Sequence, residues 1–351
     1  MAAAQRQIGP YKIVGRPLGS GGMATVYRVE DSNGQHAALK VLHAHLNRER
    51  KIVERFKQEF AIGKKMARFN NFVNMHSLEK VDNSWCILMQ LVEGKTLEHR
   101  LLEVPQAIAV VASLANALNS FHSKGLIHRD LKPENIILSQ SGDLKIMDYG
   151  ITRELSNNMT RTGTAMGTLL YMAPEQLEAK KNLDHRADIF SLGVIFYRLL
   201  TKRDPHGLGN KAEYVHVMES RLKKKVRKVP GLDDDQLTSL LNSMLAVDPD
   251  ERPKDCQALL RELKKLPQAP SNIKKILSSL TKDKAKAPTK KSKVAEKVDK
   301  TIQRPVTKNE RKKVPAGFIM MIFVLFVLTF AGLYFFGPPQ FRDELQKIVS
   351  G

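Results

Sequence analysis

Two stretches decide how this chain is read: IHRDLKPENIIL, residues 127–138, and LKIMDYG, residues 144–150. The apolar runs Ile136–Leu138 and Leu144–Met147 flank Ser141-Gly142, so they predict a tight β-hairpin. Asn135 and Asp148 lie at equal sequence distance on either side of that turn, so the folded hairpin brings them together at its open end. An amide oxygen and a carboxylate are hard ligands suited to Mg²⁺. Asp130, five residues before Asn135, adds a second carboxylate at the same mouth, placed to accept a hydroxyl proton.

Upstream, Tyr11 to His43 alternates apolar and polar residues and is punctuated by Gly19, Gly21, Gly22 and Asn33-Gly34, which predicts a short antiparallel meander. Glycines between two strands let backbone N–H groups approach phosphate oxygens. On the next strand Ala38 and Lys40 share a face by the two-residue period. A lysine on an inward face must snorkel or meet an anion. Ile52, Phe56 and Phe60 recur at helical spacing between about Arg48 and Phe69, and Glu59 falls on their buried side, where it is a candidate partner for Lys40. Farther on, 106–122 and 187–200 read as largely buried helices. A strand-rich first third before a helix-rich remainder implies an α+β fold in two lobes.

Taken together these segments resemble a eukaryotic-like Ser/Thr protein kinase of the bacterial, membrane-anchored type, over residues 11–266. The resemblance implies a bilobal kinase fold with a β-rich N-lobe at about 11–90 and a helical C-lobe at about 91–266. It implies ATP and Mg²⁺, or Mn²⁺, as cofactors and Ser/Thr hydroxyls of proteins as acceptors. Gly19, Ser20, Gly21 and Gly22 resemble the phosphate-covering loop, and Lys40 in HAALKVL the phosphate-binding lysine with Glu59 as its partner. Leu18, Val26, Ala38 and Ile137 are expected to sandwich adenine, with Met89, Gln90 and Val92 in the hinge. His128-Arg129-Asp130 and Asn135 resemble the catalytic loop, with Asn135 and Asp148 as metal ligands. Lys132 is the residue expected of Ser/Thr rather than Tyr kinases, and Thr168 is expected to bridge it to Asp130. Ala173-Pro174-Glu175 closes the activation segment, Arg252 pairs with Glu175, and Asp188 braces the catalytic loop.

Arg129 beside Asp130 implies control by phosphorylation, with Thr160, Thr162 and Thr164 as candidate sites and self-association as the route to them. Two positions depart from the family pattern. Ala24 stands for a third loop glycine, and Tyr149 stands for phenylalanine and adds a hydroxyl that needs a partner. Neither removes a chemical group, which argues against a nucleotide-binding pseudokinase. Lys132, Thr168 and the Ala173-Pro174-Glu175 segment favour a protein acceptor over a small molecule.

The 351 residues carry a net charge of +21, with 42% hydrophobic and 26% charged residues, which excludes wholesale disorder. Two cysteines, Cys86 and Cys256, are too few for a disulfide framework and suit a reducing compartment. The opening MAAAQRQIGP lacks the apolar core of a secretory signal. Residues 268–313 hold fifteen Lys/Arg against four Asp/Glu, about half the net charge. The stretch 267–313 therefore reads as a basic flexible linker, with a short amphipathic helix at Ile273, Ile276, Leu277 and Leu280 as an exception. It lacks the aromatics of a nucleic-acid arm and suits an anionic membrane surface. The uncharged run VPAGFIMMIFVLFVLTFAGLYFFG, 314–337, would reach roughly 36 Å as a helix, enough to cross a bilayer. Lys312 and Lys313 put the preceding side in the cytoplasm. A single-pass cell-membrane protein with a cytoplasmic kinase domain and a short extracytoplasmic tail, 338–351, is the expectation.

Overall fold

The computed structural model describes residues 6–149, 166–178, 183–205 and 234–282, all within the first of the chain's two units, Met1–Val294. The alternating N-terminal sequence folds as an antiparallel sheet. Its strands are β1 (Gln7–Ile8), β2 (Tyr11–Ile13), β3 (Gly19–Ser20), β4 (Ala24–Glu30), β5 (His36–Leu42), β6 (Met75–Val81) and β7 (Ser84–Met89). They run β1-β2-β4-β5-β7-β6, with β3 added to β4. The period of two puts Ala38 and Lys40 on the face shared with the main core, while Leu39 packs on the other side with Tyr11, Val29, Val81 and Cys86. Helix α1 (Arg50–Met66) lies on the sheet through Phe56, Glu59, Gly63 and Met66, its buried residues. Gly63 is required there, because a Cβ would run into the Met75 side chain.

A second, three-stranded sheet joins β8 (Gly94–Thr96), β9 (Ile136–Ser139) and β10 (Leu144–Ile146) in the order β10-β9-β8. The helices are α2 (Val104–His122), α3 (Pro174–Leu177), α4 (Arg186–Thr201), α5 (Asp235–Met244), α6 (Cys256–Lys265) and α7 (Ile273–Lys282); α2 and α7 meet the small sheet, α4 and α6 pack on α2, and α5 packs on α4. Helix α2 starts at a capping box between Glu103 and Gln106. It is long and apolar enough to cross a membrane, yet eleven of its residues are buried inside the lobe. That makes it a core helix, hydrophobic nearly all round. The apolar run 314–337 lies outside the described residues.

The stretch read as a linker opens with the short amphipathic helix expected at Ile273, Ile276, Leu277 and Leu280. Helix α7 seats Leu277 and Leu280 in the core against α2, and Arg100 Nη1 donates to the Leu280 carbonyl at 3.5 Å. The β9–β10 turn meets it at Gly142, where φ is +86° and a Cβ would overlap the Ser278 backbone. Four apolar residues on one helical face suffice to seat this segment once a lobe exists to receive them.

Candidate active site

The row Gly19, Val26, Lys40 and Ile87 runs across β3, β4, β5 and β7 in register. It delivers Lys40 to the mouth of the glycine turn. Lys40 is 8% exposed, and its Nζ donates to Glu59 Oε1 at 2.6 Å and to Asp148 Oδ1 at 2.7 Å. Burial alone would lower Lys40, but the charges of Asp148 and Glu59 raise it well above the usual ammonium value. Burial raises Glu59 well above the carboxylate range against the pull of Lys40, with Asp148 adding repulsion. Asp148 goes the other way: burial opposes its charge, and the Lys40 ammonium more than reverses that. One cation thus serves two carboxylates, and the more exposed of them is the Asp148 side chain.

The hairpin forms with a register half a residue off the expected one. Ile136 pairs with Ile146 and Leu138 with Leu144, so the turn centres on Ser141. Asn135 then faces Met147, whose N–H donates to the Asn135 carbonyl at 2.9 Å. Asp148, one residue beyond, has a left-handed backbone, φ +57°, that turns it out of the ladder toward Lys40. Asn135 Nδ2 donates to the Asp130 carbonyl at 3.0 Å and to Asp130 Oδ2 at 3.2 Å, which leaves its amide oxygen for another group. Lys132 Nζ lies 3.4 Å from Asp130 Oδ2. Asp130, Lys132, Asn135, Asp148 and Lys40 therefore converge on one cleft.

Buried Asp188 on α4 braces this loop. It accepts from His128 N at 2.8 Å and Arg129 N at 2.9 Å, and pairs with His122 Nε2 at 2.8 Å. Burial would raise its pKa, but His122 and these donors hold it below the ordinary range. Arg129, with φ +63°, is thereby fixed, and its carbonyl accepts from Gln176 Nε2 at 3.0 Å. Tyr149 stacks on Phe121 with ring centroids 5.8 Å apart, and its hydroxyl donates to the Val73 carbonyl at 3.5 Å. Arg252 grips Glu175 with two bonds of 2.6 and 2.8 Å, and its remaining donors reach the carbonyls of Ala246, Arg186 and Val247.

Leu18 is 54% exposed at the rim of the cleft. Gln90 spends its N–H on the Asn74 carbonyl at 2.8 Å and its side-chain oxygen on Asn74 N at 3.4 Å, so it struts the connection to β6. Ala38 and Met89 pair across β5 and β7 beside it. Gly150, Thr160, Thr162, Thr164 and the Thr168 side chain lie outside the described residues. Sequence reasoning missed His122 and Gln176. A polar residue at a helix C-terminus and a glutamine after Glu175 carry no local sign of the partners they find.

The donor set fits a divalent cation held jointly with phosphates. Asp148 and Asn135 offer hard oxygens, and the described residues contain no group of three His, Cys, Asp or Glu side chains that would hold a metal alone. The geometry fits a phosphoryl-transfer site: a lysine shared by two carboxylates, and an amide and a third carboxylate beside a second lysine. Residues 13–263 match the family model described as protein kinase domain. The chain belongs to the protein kinase family and, within it, to the eukaryotic-like bacterial Ser/Thr kinases. The Ser/Thr kinase PknL of Mycobacterium tuberculosis is 37% identical over 202 residues, covering 55% of this chain and 50% of PknL. The Ser/Thr kinase AfsK of Streptomyces griseus is 32% identical over 266 residues, 73% of this chain and 32% of AfsK. This chain spans half or less of the length of both. The PknI kinase domain of M. tuberculosis shares the fold, with a TM-score of 0.56 and 24% identity over 76% of this chain and 98% of that domain.

Proposed function

We propose that this chain is an ATP-dependent protein serine/threonine kinase that transfers the γ-phosphoryl group to Ser or Thr hydroxyls of proteins. The observation that carries the reading is the convergence of Lys40, Asp130, Lys132, Asn135 and Asp148 on one cleft. Lys40, held by Glu59, clamps the α- and β-phosphates. Val26, Ala38 and Ile137 face adenine, and Met89 and Val92 border it. Asp130 accepts a hydrogen bond from the acceptor hydroxyl and orients its oxygen for in-line attack, while Lys132 neutralises charge on the transferring group. Mg²⁺ carried by Asp148 and Asn135 supplies neutralisation of the phosphate oxygens when bound.

The apolar run 314–337 supports a single-pass anchor, with the basic residues before it on the cytoplasmic side. With α7 docked on the lobe, a flexible basic tether over 283–313 would span roughly 30 Å, which favours acceptors near the membrane, a second copy of the chain among them. Arg129 beside the base supports activation by phosphorylation at Thr160, Thr162 or Thr164. Incubating the full chain with labelled ATP, Mg²⁺ and a generic basic protein tests the central reading. Transfer by the wild type and its loss by about 10³-fold in Asp130→Asn are expected; equal transfer by both refutes the assignment.

A further inference from the structure

The glycine turn is tied to the strand that carries Lys40 by contacts that a glycine loop does not require. Ser20 on β3 and Thr25 on β4, the two limbs of the turn, share a hydroxyl–hydroxyl hydrogen bond of 2.9 Å. Thr25 Oγ1 lies 3.1 Å from Nε2 of His43, the residue that follows β5. The backbone of the same histidine donates to the Met23 carbonyl at 2.9 Å, and Gly21 N closes the turn on the Ala24 carbonyl at 2.9 Å. His43 thus holds the tip of the turn through its main chain and the β4 limb through its ring, with the β3 limb reached by way of Thr25, three residues along from Lys40.

We infer that His43, Thr25 and Ser20 form a positioning relay that sets the shape of the phosphate-covering turn and the polarity of its outermost hydroxyl; the inference rests on the kinase reading above. A chain of hydroxyls runs in one direction at a time. If His43 Nε2 accepts, Thr25 donates to it, Ser20 donates to Thr25, and only lone pairs face outward. If His43 Nε2–H donates, the Thr25 hydroxyl donates to Ser20 Oγ, and the Ser20 hydroxyl offers its own hydrogen outward. An incoming triphosphate, rich in acceptors and poor in donors, selects the second direction. Ser20 is the residue that meets the nucleotide; Thr25 and His43 act through it.

Because the relay serves nucleotide binding and not the attack of the acceptor, it is expected to move KM for ATP and to spare kcat. Thr25→Val keeps the size and β-branching of the residue and deletes the hydroxyl. It is expected to raise KM for ATP about fivefold, as one neutral hydrogen bond warrants, with kcat changed by less than about twofold. Thr25→Ser is expected to restore the wild-type value. Ser20→Ala and Thr25→Val together are expected to cost no more than the larger single change, since they break one chain. In hydrogen exchange on the full chain, the amides of residues 19–23 are expected to exchange faster in Thr25→Val than in the wild type, a readout independent of turnover. A wild type that transfers phosphate while Thr25→Val keeps its KM overturns the relay and leaves the kinase reading standing. Additive costs in the double variant, or a kcat loss equal to the KM change, overturn it as well. An inactive wild type refutes the kinase reading, and unchanged loop exchange in Thr25→Val then overturns the relay by itself.

Discussion

Asp148 and Asp188 are both aspartates with depressed pKa values, and they are held in opposite ways. Asp188 has no exposed surface, and its oxygens are taken by two backbone N–H groups and a histidine. Asp148 leans on a single ammonium, from a left-handed backbone, with about a third of its side chain open to the cleft. A carboxylate satisfied by the main chain cannot leave without orphaning donors, so it serves as a brace. A carboxylate held by a side chain and partly open to the cleft keeps surface for a further ligand, as the proposed role in the reaction requires. The environment, not the residue type, divides the roles.

The sharpest way to break the comparison is to neutralise each in turn. Asp148→Asn is expected to reduce turnover on the order of 10³-fold. Its Tm should stay within about 3 °C of the wild type, since Lys40 keeps Glu59. Asp188→Asn is expected to cost about 3–5 kcal/mol of stability, because an amide cannot accept from all three donors. Its Tm should then fall on the order of 10 °C in a thermal melt. Equal thermal shifts in the two variants would erase the distinction.

A middle-sized effect concerns where the catalytic unit ends. Leu277→Ala on α7 is expected to cost about 2–3 kcal/mol in chemical denaturation, against nearly nothing for the exposed Lys274→Ala. Equal midpoints would mean that α7 contributes no packing to the lobe.

The smallest effect is a pH limb. Glu59 has its pKa raised by burial, so its proton returns at a higher pH than the ordinary value of about 4.3. Below that raised value the protonated carboxyl no longer pairs with Lys40 as a charge, and kcat/KM should fall as pH drops through it. For stability the sign reverses: a raised acid pKa contributes stability present below the unfolded value and lost as pH rises through the folded one. In Glu59→Gln the acid limb of the kcat/KM profile should disappear. An unchanged limb in that variant assigns it to another group.

Much of this site was legible because its residues sit in short local patterns. The hairpin between 136 and 146 announces itself through apolar alternation around Ser141-Gly142, and the pairing of Asn135 with Asp148 follows nearly by counting. The count misses by half a residue because register depends on how the turn seats. Glu59 was visible through the periodicity that puts it beside Phe56 on the buried face of α1. His122, Gln176 and His43 were not visible, since each finds its partner from a separate segment of the chain, by packing alone.

The amino-acid order by itself determined the two-lobed α+β architecture, the chemistry-bearing residues and their grouping, because periodicity and turn chemistry act over a few residues. Only the tertiary structure decided which carboxylate is a brace and which faces the cleft, that Gln90 is a strut, and that α7 joins the folded lobe. Those outcomes depend on burial and on donors brought from distant segments, and neither exists until the chain has packed.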